Sequence, residues 1–88
     1  MRVKLESYGK GTEGHVLELG PITIYFSYAT PIAVYGSGKR FIRENDWGPT
    51  TGRHLNHIDE GGKEAKAARL PSTEFERRLG ELLERLED

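Results

Sequence analysis

The run Ile22-Thr23-Ile24-Tyr25-Phe26-Ser27-Tyr28 constrains this chain more than any other segment. Strict alternation puts Ile22, Ile24, Phe26 and Tyr28 on one face of a strand and Thr23, Tyr25 and Ser27 on the other. Such a strand cannot stand alone. It needs hydrogen-bonded neighbours and a cover for its apolar face. The neighbours are close in sequence. His15-Val16-Leu17-Glu18-Leu19 precedes it across a Gly20-Pro21 turn, which reads as a hairpin. Val3 and Leu5 alternate with charged residues in an edge strand up to Tyr8, and Gly9-Lys10-Gly11-Thr12-Glu13-Gly14 reads as a loop. After Ala29-Thr30-Pro31 come two shorter strands, Ile32-Ala33-Val34-Tyr35 and Lys39-Arg40-Phe41-Ile42-Arg43, around the Gly36-Ser37-Gly38 turn. The first half is therefore expected to be a mainly antiparallel sheet of about five strands.

The second half changes period. Thr50-Thr51 can cap a short helix through Asp59, with Leu55 and Ile58 as its inward pair. Phe75, Leu79, Leu82, Leu83 and Leu86 share one face of a C-terminal helix. Ser72 or Thr73 is expected to cap it, and Thr73 with Glu76 fits a capping box. Residues 60–71 read as a linker or a single turn before it. The expected fold is α+β: the sheet, a short helix after the last strand, and an amphipathic C-terminal helix packed on one sheet face. Residues 1–88 form one small domain. The second sheet face would be left for solvent, a ligand or another copy of the chain, so a homo-oligomer is one expected partner.

The charge balance excludes several roles. The chain has 88 residues, 13 Lys and Arg, 14 Asp and Glu, and a net charge of −1. Residues 1–44 carry +2 and residues 45–88 carry −3. A protein that coats duplex nucleic acid usually shows a basic face, so nucleic acid is a less favoured partner. There is no Cys, hence no disulfide or thiolate metal site. The N-terminus lacks an apolar signal-peptide core and no stretch approaches a membrane span, so a cytoplasmic setting away from membranes is expected.

Chemistry concentrates between Arg43 and Asp59, which hold the sole Trp and two of the three His. Thr50, Thr51, Gly52 and Arg53 fall at a helix start, where free backbone N–H groups and the helix dipole favour an anion such as phosphate. The plain alternative is a helix cap beside a solvated Arg53. Trp47 offers a flat face for a base, a sugar or a guanidinium, or plugs the edge of a small core. His54 and His57 share a helix face. With Asp59 or His15 they could ligate a metal, and with Asn56 or Asp59 as orienting group one could act as a general base. Two histidines three apart are weak evidence for either. No Ser or Cys sits in a nucleophile motif, and neither a cofactor, a metal nor a catalytic residue is assigned.

The segments Tyr25-Phe26-Ser27-Tyr28-Ala29-Thr30-Pro31-Ile32-Ala33 and Arg43-Glu44-Asn45-Asp46-Trp47-Gly48-Pro49-Thr50-Thr51-Gly52-Arg53-His54-Leu55-Asn56 resemble a family of small uncharacterised proteins encoded by phages and mobile elements. The resemblance spans about half the chain and is most specific in Thr50–Asn56. It carries no residue roles. It implies an accessory protein acting inside a prokaryotic host.

The reading that joins these features is a non-enzymatic binding module for a small anionic ligand such as a nucleotide or nucleotide signal. Arg43, Asn45, Trp47, Thr50, Thr51, Gly52, Arg53, His54, Asn56 and His57 form the expected site. The alternative is an interaction protein for single-stranded nucleic acid or a host protein. A small hydrolase using His54 and His57 comes third.

Overall fold

A computed structural model describes residues 2–9, 11, 13–36 and 38–86. Lys10, Thr12 and Ser37, parts of the two expected glycine loops, lie outside the described residues. Among the described residues five strands, β1 (Val3–Ser7), β2 (Gly14–Leu19), β3 (Ile22–Ser27), β4 (Thr30–Gly36) and β5 (Lys39–Ile42), pair in sequence order. Every neighbouring pair is antiparallel. The Gly20-Pro21 turn joins Leu19 directly to its partner Ile22, with Gly20 at φ +57° in the left-handed region that Gly tolerates. The helices α1 (Pro49–Asp59), α2 (Lys63–Ala67) and α3 (Ser72–Leu86) follow. No helix among the described residues is long and apolar enough to cross a membrane.

The α+β architecture is as expected, with α3 packed on one sheet face. Phe75, Leu79 and Leu82 of α3 bury Ile22, Ile24 and Val34. The capping box does not form. Glu76 accepts a hydrogen bond from Arg43 at 3.2 Å, and the Ser72 hydroxyl donates to Asp46. Within α3, a Cβ added at Gly80 would meet open space, so this Gly is not there for close packing. Gly80→Ala is expected to raise stability by about 0.5–1 kcal/mol, read by urea denaturation, because only the backbone entropy term changes.

The other sheet face departs from expectation. It is not left open, because α1 packs across it. Ile32, Ala33, Ile42 and Leu55 form a second buried cluster, flanked by Tyr25 and Ile58. A bulge makes this possible. Tyr25 pairs with Ala33 but Phe26 pairs with Pro31, so Ile32 is the extra residue in β4 and turns into the α1-side cluster. Beyond the bulge Tyr28 leaves the apolar face predicted for it. It sits in the β3–β4 turn at φ +56° and is exposed.

Residues 60–71 are tied down rather than slack. They contain α2 and a parallel bridge between Leu70 and Arg43. Leu70 N–H donates to Ile42 O at 2.7 Å and Glu44 N–H donates to Leu70 O at 2.8 Å. Arg69 reaches back to the end of α1, with Nε on Asp59 Oδ2 at 2.8 Å and Nη2 on Asp59 Oδ1 at 2.9 Å.

Candidate ligand-binding cleft

The sequence places α1 where a turn delivers it. Asn45 Oδ1 accepts the Trp47 N–H at 2.9 Å and its Nδ2 donates to Gly48 O at 3.2 Å, an Asx-type turn. Gly48, not a threonine, is the N-cap, and Pro49 occupies the first turn. The predicted Thr50-Thr51 cap is thereby corrected: both residues lie inside the helix. Thr51 points into the sheet and is buried, whereas Thr50 stays at the surface with Arg53, whose Nη2 donates to Thr50 Oγ1 at 3.1 Å.

One corner of the sheet meets this helix. The end of β1, the start of β2 and the end of β3 converge there, since Ser7 pairs with His15 and Gly14 with Ser27. Tyr8 lies in the angle. Its hydroxyl donates to Phe26 O at 2.8 Å, and its ring centroid is 5.6 Å from His54, 5.5 Å from His57 and 5.2 Å from Tyr25. Burial, then the neighbouring Tyr25, pushes the Tyr8 phenol well above its ordinary value, so it stays protonated. Gly14 makes room for it: a Cβ there would lie 2.9 Å from Tyr8 O and 3.1 Å from the ring.

Between this corner and α1 lies a cleft of about 650 Å³, lined by Gly9, Glu13, Thr50, Arg53, His54, Asn56 and His57. Thr50, Arg53, His54 and His57 face it together because they are three or four apart on one helix. His54 forms the floor. Its Nδ1 is 2.6 Å from Ser27 Oγ, which is 2.9 Å from Thr51 Oγ1, a buried polar chain that fixes the ring. Burial pushes the His54 imidazole below its ordinary value, against a smaller upward pull from Glu13, and Arg53 and His57 push the same way as burial. A group depressed in the folded state favours its neutral form, so stability is full above about 6.5, the unfolded value, and falls as pH drops towards the folded pKa. Denaturation midpoints measured between about pH 8 and 5 should show this slope, and His54→Gln should lose it.

The structure brings five of the predicted site residues together and separates the rest. Arg43 is 2% exposed and on the α3 side. Its guanidinium donates to Pro31 O at 3.1 Å and lies 4.8 Å from the Trp47 ring and 5.0 Å from the Phe75 ring. Trp47 therefore stacks on a guanidinium of its own chain, away from the cleft. Asn45 and Gly52 build the turn, with Asn45 Nδ2 at 3.1 Å from where a Gly52 Cβ would lie. Asn56 and Asp59 do not orient a histidine. Both accept from Arg69, and Asp59 also accepts the Gly61 N–H at 2.9 Å. Among the described residues no three metal-ligating side chains converge. Ser27, Tyr8, Gly9 and Glu13 were not singled out as site residues. The alternating pattern marked Ser27 as facing away from the apolar side, but only strand pairing brings the other three to the same corner.

Fold and cleft together define a small α+β protein with one antiparallel sheet held between helices and a histidine-floored cleft at one sheet corner. Residues 3–77 match the model of a family of unknown function, DUF8033, and the chain belongs to that family. No curated protein and no solved structure matches it.

Proposed function

We propose that this protein is a non-catalytic binding module whose cleft takes a small anionic ligand, a nucleotide or nucleotide signal. The observation that carries the reading is the convergence of Thr50, Arg53 and His57 over the fixed floor of His54 in a cleft of about 650 Å³. That volume suits a small molecule. Thr50 and Arg53 lie in the first turns of α1, where the dipole and the backbone N–H groups favour a phosphate. The ring face of His57 suits a flat base. In this reading Arg43 and Trp47 support the fold and do not touch the ligand.

The sequence resemblance extends the proposal to an accessory protein of a phage or mobile element, cytoplasmic in its host, that sequesters a nucleotide used in host defence. Isothermal titration against nucleotides and cyclic dinucleotides tests it. Arg53→Ala is expected to weaken binding by about 1.5–3 kcal/mol, the scale of a charge-assisted hydrogen bond. No binding across the panel, or equal binding by Arg53→Ala, contradicts it.

Hydrolysis using His54 and His57 is less well supported, because His54 Nδ1 is tied to the buried Ser27 hydroxyl and the expected orienting groups, Asn56 and Asp59, accept from Arg69 instead. A basic groove of Lys39, Arg77, Arg78 and Arg85 beside Phe41 is what favours single-stranded nucleic acid as the second reading. Much of its charge is already spent, because Glu74 pairs with Arg77 and Arg78, and Glu81 with Arg77. Gel shifts with short oligonucleotides that weaken steeply with salt would promote that reading.

A further inference from the structure

The two edges of the sheet differ. The β5 edge is guarded: Leu70 bridges its end, and Lys39 and Arg40 are exposed along it. Among the described residues nothing bridges the β1 edge, and its charged residues, Lys4 and Glu6, are one of each sign rather than two cations. All five of its residues are exposed, and Val3 and Leu5 are 63% and 64% exposed although they lie on the apolar side of the sheet. Their strand partners fix that side. Val3 pairs with Leu19 and Leu5 with Leu17, which pair in turn with Ile22 and Ile24 of the core that α3 covers.

The hydrogen bonds of β1 show which of its backbone groups are left over. Gly20 N–H donates to Arg2 O at 2.7 Å and Tyr8 N–H donates to Gly14 O at 3.2 Å. In an antiparallel ladder the inward-facing residues alternate, so even-numbered residues face β2. Val3, Leu5 and Ser7 therefore turn their N–H and C=O groups outward. A second β1 strand running antiparallel can engage all three residues in one register only, with a two-fold axis through Leu5. Leu5 then opposes Leu5 of the second copy, and Val3 opposes Ser7. The same register, chosen by the backbone alone, sets Lys4 against Glu6 of the second copy and Glu6 against its Lys4. Both are on the other sheet face, within one strand now paired to each other at 2.9 Å, and 47% and 55% exposed.

We propose that two copies of this chain pair through β1 in this register, making one continuous sheet with a Lys4–Glu6 ion pair on each side of the axis. The two-fold operation closes the assembly, so it yields a dimer and not a fibre. A seam of five residues per copy falls short of the roughly 1,200–2,000 Å² of a tight complex, so the dimer is weak and concentration-dependent. The seam uses Val3–Ser7, none of which lines the cleft, and it does not depend on the ligand.

Sedimentation velocity on the full chain up to about 1 mM tests it. The wild type should shift from monomer to dimer mass. Lys4→Glu alone sets Glu against Glu, and Glu6→Lys alone sets Lys against Lys, so each should weaken self-association at least about tenfold. Mixing the two variants should restore dimers, because every cross-seam pair is then Lys with Glu. That rescue cannot come from a misfolded chain. A wild type that stays monomeric, single variants that dimerise like wild type, or a mixture no stronger than its components would overturn the proposal.

Discussion

Arg69→Ala is expected to cost about 3–5 kcal/mol, because it strands the Asp59 carboxylate in the interior. Their side chains are 6% and 1% exposed, and the contact is bidentate. A domain of 88 residues has only about 4–13 kcal/mol in total, so the variant should lose a large share of its stability and its unfolding midpoint should fall steeply. Urea denaturation followed by circular dichroism reads it. Removing both partners should recover part of the loss, since no lone charge then remains buried. The pH response should also change sign. Burial alone would raise the Asp59 pKa, but hydrogen bonds from Arg69 and the Gly61 N–H, with the Arg69 charge, hold it below the ordinary value. The wild-type contribution is therefore present above about 3.8 and is lost as pH falls through the lower folded pKa. Without Arg69, burial dominates, and any folded variant should gain stability on acidification towards that range.

Phe75→Ala should be as damaging, at about 3–5 kcal/mol, for a different reason. Phe75 is 0% exposed at the centre of the α3-side cluster. The Arg43 guanidinium also lies 5.0 Å from its ring, and 4.8 Å from the ring of Trp47. Truncation leaves a void and loosens the Arg43 contact that joins the α1 approach to α3. Thermal unfolding should show the loss, and Phe75→Leu, with a smaller void, should lose less. Trp47 fluorescence should shift on unfolding in both cases, since the residue is only 46% exposed and its ring lies 4.8 Å from the Arg43 guanidinium.

The parts of the fold written in local periodicity were legible. Alternation at Ile22–Ser27, the Gly20-Pro21 turn and the Phe75–Leu86 spacing each specify an element through neighbours a few residues away. What was not legible depends on pairing at long range. The bulge that turns Ile32 towards α1 follows from β3–β4 registration, not from any residue within β4. Arg69 looks like a surface residue of a linker until its carboxylate partner, ten positions earlier, is placed beside it. The candidate site divides the same way. Thr50, Arg53, His54, Asn56 and His57 share a helix, so their grouping was readable. Arg43 and Trp47 belong to the same stretch of sequence but turn to the α3 side, where the guanidinium lies 4.8 Å from the indole.

The central claim is that this cleft binds a small anionic ligand. Its most direct test is a nuclear magnetic resonance titration of the labelled protein with nucleotides and cyclic dinucleotides, read residue by residue. Saturable shifts are predicted at Thr50, Arg53 and His57 and at Gly9 and Glu13 across the cleft, with Trp47 and the α3 amides unmoved. No saturable shift across the panel, or shifts centred on Trp47 or the Lys39–Arg85 groove, would contradict it.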